Sequence, residues 1–222
     1  MKTEEVIAVL SRDRLGPYVR RAGSDDDGLA LYEWNGEVGG ALHACLGYAE
    51  VVLRNALHEQ LSRIAQDRRF SDPWYVSLAP LLDLRAQADV ASARDRATRN
   101  GRTETEGRVI AELTFGFWRY LVSAKYDRTL WRVGLHRAFP HLNATLRQVS
   151  KLLQRLNDLR NRIAHHEPIF NRDLAQLHRD VDQLMRWLDA DLATWRRLRC
   201  PVDQLLTDPR AAVGPQGLSG PT

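Results

Sequence analysis

The sequence predicts an all-α protein, and three observations carry that reading. Apolar residues recur by threes and fours through most of the 222 residues, the spacing of helices that each bury one face. No run of alternating polar and apolar residues is bounded by hairpin-turn residues. The most apolar segment is also too long for a strand, although its composition alone would suit one.

The spacing predicts a first helix over Glu4 to Ser11 and a short piece to Arg21, ended by "AGSDDDG", whose acidic residues can cap the next helix. Leu29 to Gln66 reads as one long helix with Leu42, Cys45, Leu46, Ala49, Val52, Leu53, Ala56 and Leu57 on its buried face. "DRRFSDPWY" breaks the chain, and "LAPLLDLRAQADVASARDRATRN" carries another helix before a polar loop from Arg102 to Glu106. "GRVIAELTFGFWRYLVSA" reads as a single central helix in which Phe115 and Trp118 belong to the core, as does Trp187 further on. "DRTLWRVGLHRAF" is a shorter helix closed by Pro140. "NATLRQVSKLLQRLNDLRNRIAHH" is the next helix, ending near His166 because Pro168 disfavours helical geometry at Glu167. "NRDLAQLHRDVDQLMRWLDADLATWRRLR" supplies one or two more. The expected organisation is an N-terminal helical extension over residues 1–27, a helical domain over 28–200, and a flexible tail over 201–222 that is rich in Gly, Pro and Ser.

Composition narrows the function. With 44% hydrophobic residues the chain can bury a core, and its 32 Lys and Arg against 28 Asp and Glu leave a net charge of +4, nearly all the cations being arginine. The planar guanidinium suits phosphate, because it donates two parallel hydrogen bonds and keeps its charge. Cys45 and Cys200 are too few and too far apart for a disulfide framework, and no CxxC pair marks zinc. The amino terminus lacks a signal-like apolar run and no stretch could span a bilayer, so a cytoplasmic protein is expected. Walker loops, dinucleotide fingerprints and Gly-x-Ser-x-Gly elbows are absent from the sequence.

One stretch carries chemistry. In "RLNDLRNRIAHHEPIF" and the turns before it, Val149, Leu152, Leu153, Leu156, Leu159 and Ile163 form an apolar stripe about 120° wide, and Arg160 lies about 40° from its middle, where an aliphatic residue would be expected. An inward-leaning arginine is costly unless an anionic or polar group meets it. Asn161 and His165 are four apart, so the amide can hydrogen-bond the imidazole. His165 and His166 sit at a helix carboxyl end, where the macrodipole favours protonation.

"RNRIAHHEPI" resembles the Arg-Asn-x-x-x-His signature of HEPN domains, helical bundles many of which are ribonucleases. "ALYEWN", "YAEVVLRNALHEQL", "AELTFGFWRYL", "TLWRVGLHRAFP" and "LRNRIAHHEPIFNRDL" are similar to segments of the Abi-like family of abortive-infection and toxin-type phage-defence proteins, and together they reach from Leu29 to Leu188. The resemblance implies a HEPN-type up-and-down helical bundle with additional helices, with residues 28–200 as the HEPN/Abi-like domain. It implies a metal-independent endoribonuclease with Arg160, Asn161 and His165 catalytic, and with RNA as substrate. A base would deprotonate the ribose 2′-OH, an acid would protonate the leaving 5′-oxygen, and Arg160 would hold the phosphate, leaving a 2′,3′-cyclic phosphate. Arg160 and His165 are about 140° apart on one helix, so two copies are expected to line one cleft as a homodimer. An antitoxin or regulatory partner is a further expected partner; no metal, cofactor or membrane is expected.

Supporting residues fit the same pattern. His166 adjoins the motif. Glu50, Arg54 and Asn55 either face the cleft, as the family pattern implies, or form a routine surface pair between Glu50 and Arg54. Glu112 interrupts an apolar helix and is expected to meet an arginine such as Arg160. The alternative to the nuclease is a catalytically silent HEPN module that binds RNA or a partner protein.

Overall fold

The computed structural model describes residues 2–212. Every regular element among them is helical: α1 (Thr3–Leu10), α2 (Arg12–Ala22), α3 (Asp25–Asp67), α4 (Trp74–Ser77), α5 (Leu84–Thr98), α6 (Glu106–Glu112), α7 (Phe115–Leu121), α8 (Leu146–Ala164), α9 (Leu174–Leu188), α10 (Ala190–Arg197) and α11 (Val202–Leu206), with short 3-10 turns and one π turn between them. The all-α expectation is therefore met among the described residues. No helix among them is long and apolar enough to cross a membrane.

The chain forms two compact units. One comprises the residues up to Cys45, Leu159–Arg179 and the residues from Arg199 on; the other comprises Leu46–Asp158 and Asp180–Leu198. The expected boundaries at residues 27 and 200 do not separate these units, because the N-terminal helices belong with the end of α8 and the C-terminal segment.

In the first unit, the Tyr18 ring packs edge-on against Tyr32 at 5.2 Å and at a tilt of 52° against Phe170 at 5.0 Å, and burial pushes its hydroxyl up to about 12. The expectation of a flexible tail from residue 201 is corrected up to residue 212. Val202 is fully buried, Trp34 Nε1 donates to the Leu205 carbonyl at 2.8 Å, and Arg210 grips Glu37 with two bonds of 2.9 and 2.8 Å. A short apolar helix and a bidentate ion pair hold what composition alone marked as loose. The remainder of the expected tail, from 213 on, lies outside the described residues.

In the second unit, Leu53, Leu57 and Leu61 of α3 share the core with Trp74, Phe117, Trp118, Leu153 and Leu156, all essentially without solvent access. Asp83 caps α5 by accepting the Ala86 N–H at 2.9 Å, and it also pairs with Lys125 and accepts the hydroxyls of Tyr120 (2.6 Å) and Tyr126 (3.1 Å). The Lys125 ammonium, and then these further donors, hold its carboxyl well below the usual range.

Two predicted helices are not continuous. The central apolar segment divides into α6 and α7, because Leu113 is extended and Thr114 starts a new helix by accepting the Phe117 N–H at 3.4 Å. Asp127–Trp131 is a π turn and Leu135–Ala138 a 3-10 turn rather than one α-helix. Between them Gly134 lies so close to Ile64 that an added Cβ would stand 2.9 Å from its Cγ1.

Candidate functional site

The apolar stripe of α8 is buried as the spacing predicts: Val149, Leu152, Leu153, Leu156 and Leu159 are at most 4% exposed, and Ile163 is half-buried. Packing this stripe fixes the azimuth of everything else on the helix. Arg160 is consequently half-buried, and its Nε is shut off from solvent with no hydrogen-bond partner among the described residues. A desolvated N–H without an acceptor costs about 1–3 kcal/mol, a penalty that a bound anion would relieve. Asn161 and His165 lie on the exposed side. Their side chains are not hydrogen-bonded to each other; the link between them is the backbone bond from the His165 N–H to the Asn161 carbonyl at 2.9 Å. The expected amide-to-imidazole bond is thus not formed.

His166 ends the helix. Its φ of 55° is left-handed, its N–H donates to the Ile163 carbonyl at 3.0 Å, and the Glu167 N–H donates to the Arg162 carbonyl at 2.8 Å. This pair of bonds is a Schellman cap with histidine at the position that glycine usually fills. Arg14 donates to the His166 carbonyl, Arg162 pairs with Glu167 at 3.3 Å, and the buried Asn35 amide oxygen accepts the N–H groups of Ile169 (2.9 Å) and Phe170 (3.1 Å). The turn after the motif is therefore clamped from α2 and α3. Beside it runs a groove of about 490 Å³, lined by His166, Glu167, Arg14 and His43 and floored where Gly36, Gly39 and Gly40 keep α3 bare.

Because a Cβ in the left-handed region is strained by about 1–2 kcal/mol, His166→Gly should stabilise the fold, offset in part by the added freedom of the unfolded chain. The expected net gain of about 0.5–1 kcal/mol corresponds to about 1–4 °C in a thermal melt. His166→Val should move the midpoint the other way.

The other predicted residues belong to the second unit. Glu50 and Arg54 form no ion pair, so the routine helix-face bridge is absent; Arg54 Nε is buried without a partner among the described residues, and Asn55 is exposed. Glu112 pairs with Arg96 at 3.0 Å, and Arg96 also donates to the Glu112 backbone carbonyl at 2.8 Å. The expectation that Glu112 meets an arginine is met by Arg96 and not by Arg160. The reason is local, since Arg96 sits on α5, which packs closely on α6.

A second group has no signal in the local sequence. Cys45, His178 and Cys200 converge in the first unit, the two sulfurs 2.7 Å apart and Cys200 Sγ 3.5 Å from His178 Nε2. Distance along the chain argues against the cysteines as partners for a metal or for each other, and folding removes that separation. No family model, curated protein or solved structure matches this chain.

Proposed function

We propose that this protein is a metal-independent endoribonuclease of the HEPN, Abi-like kind, a toxin or phage-defence effector that cleaves RNA by attack of the 2′-OH. The observation that carries the reading is Arg160: a guanidinium leaning into the stripe, its Nε desolvated and lacking an acceptor among the described residues, on the same helix end as the exposed His165. With the residue only half-buried, the terminal N–H groups of this guanidinium are left to meet a phosphate oxygen, and an exposed imidazole within the same stretch supplies a proton-transfer group. Asn161, next to Arg160 and exposed, is available to the same ligand. The helix geometry turns Arg160 and His165 about 140° apart, so two copies would contribute to one cleft, with one chain's arginine serving phosphate held near the other's histidine.

In this mechanism the nucleophile belongs to the substrate. Cleavage should therefore vanish on an oligonucleotide whose scissile nucleotide is 2′-deoxy, persist when magnesium and manganese are removed with EDTA, and leave a cyclic phosphate detectable by mass spectrometry. Strict dependence on added magnesium or manganese, or cleavage of the 2′-deoxy substrate, would sink the proposal.

A further inference from the structure

Three segments far apart in sequence bring two thiols and an imidazole to one point: Cys45 from α3, His178 from α9 and Cys200 from the turn before α11. Their donor atoms all lie within 4.8 Å of one another. Cys45 and His178 are each 3% exposed, while Cys200 is half-buried. The imidazole is oriented for ligation. Its Nδ1 is 3.0 Å from Asp203 Oδ1, so with the proton on Nδ1 donated to that carboxylate, Nε2 presents its lone pair toward Cys200 Sγ. A carboxylate behind a histidine is the arrangement that fixes the ring and raises its basicity at metal centres.

We propose that Cys45, Cys200 and His178 bind a zinc ion, with Asp203 positioning the histidine and a solvent molecule completing the tetrahedron on the half-exposed Cys200 side. The donor set is the soft sulfur and nitrogen set that zinc prefers over magnesium or calcium. Both thiols lose their protons to solvent on binding, and two thiolates neutralise the divalent ion, which removes the charge penalty that burial would impose. Zinc–sulfur bonds of about 2.3 Å set tetrahedral edges of about 3.8 Å. The Cys200–His178 distance is already near that value, and the sulfur pair opens by about 1 Å when the ion enters. The site ties the segment from Arg199 onward to α3 and α9 within one unit. It shares no residue with the Arg160–His165 motif, and by joining three segments it would stabilise the fold.

The test uses the full chain, reduced and stripped of metal, titrated with Co²⁺ as a spectroscopic probe and then with Zn²⁺. One ion per chain should bind, with a thiolate-to-cobalt charge-transfer band and the visible bands of a tetrahedral ion. Zinc should displace the cobalt, release two protons per ion, and raise the melting temperature. Cys200→Ser should abolish or greatly weaken the charge-transfer band. Asp203→Asn keeps all three ligands and changes a side chain that is 63% exposed, so it should fold normally and bind zinc about 10- to 100-fold more weakly. A reduced chain that takes up no cobalt overturns the proposal. So does a cobalt spectrum unchanged by Cys200→Ser, or a purified protein whose mass shows a Cys45–Cys200 disulfide that reforms in place of metal binding.

Discussion

His165→Ala should lower the rate of RNA cleavage by about 10²- to 10⁴-fold, the usual worth of a positioned proton-transfer group, and leave RNA affinity nearly unchanged. The structure makes this substitution a clean one. His165 is exposed and its imidazole makes no hydrogen bond among the described residues, so truncation removes neither a core contact nor a cap. The backbone bond to Asn161 does not involve the side chain and survives. Arg160→Ala should behave differently. Its guanidinium would contact phosphate in the ground state as well as the transition state, so binding and rate should fall together and the salt dependence of binding should weaken. Helicity by circular dichroism must match wild type in both variants. Cleavage of total RNA and growth arrest on expression are the readouts. If wild type and His165→Ala arrest growth equally and neither cleaves RNA, the nuclease reading is wrong and a binding module that uses these residues as interface polar groups takes its place.

The parts of this picture legible in the sequence are those with short-range causes. The α8 stripe from Val149 to Leu159 is buried because a helix must turn its periodic face inward, and that same rule places Arg160 at the edge of the core. Pro168 puts the helix end within two residues of where it falls. The Schellman cap is hidden because histidine, not glycine, occupies the left-handed position. The break at Thr114 is hidden because a threonine inside an apolar run has the same composition whether the helix continues or restarts. Long-range capture is not readable at all. Asn35 is buried because it accepts two N–H groups beginning 134 residues away, and Cys45 meets Cys200 across 155 residues. No periodicity encodes such meetings. The pairing of Glu112 falls between these cases: a charge within an apolar segment announces a partner, and only packing chooses Arg96.

The same limit applies to the pair with the largest expected effect on stability. Asp182→Ala should cost about 3–5 kcal/mol, the usual consequence of removing one member of a buried ion pair. Asp182 on α9 faces Arg196 on α10, with side chains 7% and 1% exposed, and Arg197 adds a more distant cation at 3.9 Å. α9 stops and α10 starts at Asp189, whose carboxylate accepts the Leu192 N–H at 2.8 Å, and this turn returns the chain so that residues 14 apart meet. Alanine at 182 would remove the carboxylate and leave the guanidinium buried, where its desolvation is no longer matched by that charge. Urea denaturation should show a lower midpoint with an unchanged slope, since the surface exposed on unfolding is the same. The companion double variant, Asp182→Leu with Arg196→Met, separates the strength of the pair from the penalty of breaking it. It should recover most of the loss, because two apolar side chains of similar volume carry no desolvation cost. If the single variant unfolds at the wild-type midpoint, the pair is not buried in solution; if the double variant is as unstable as the single, packing and not charge accounts for the loss.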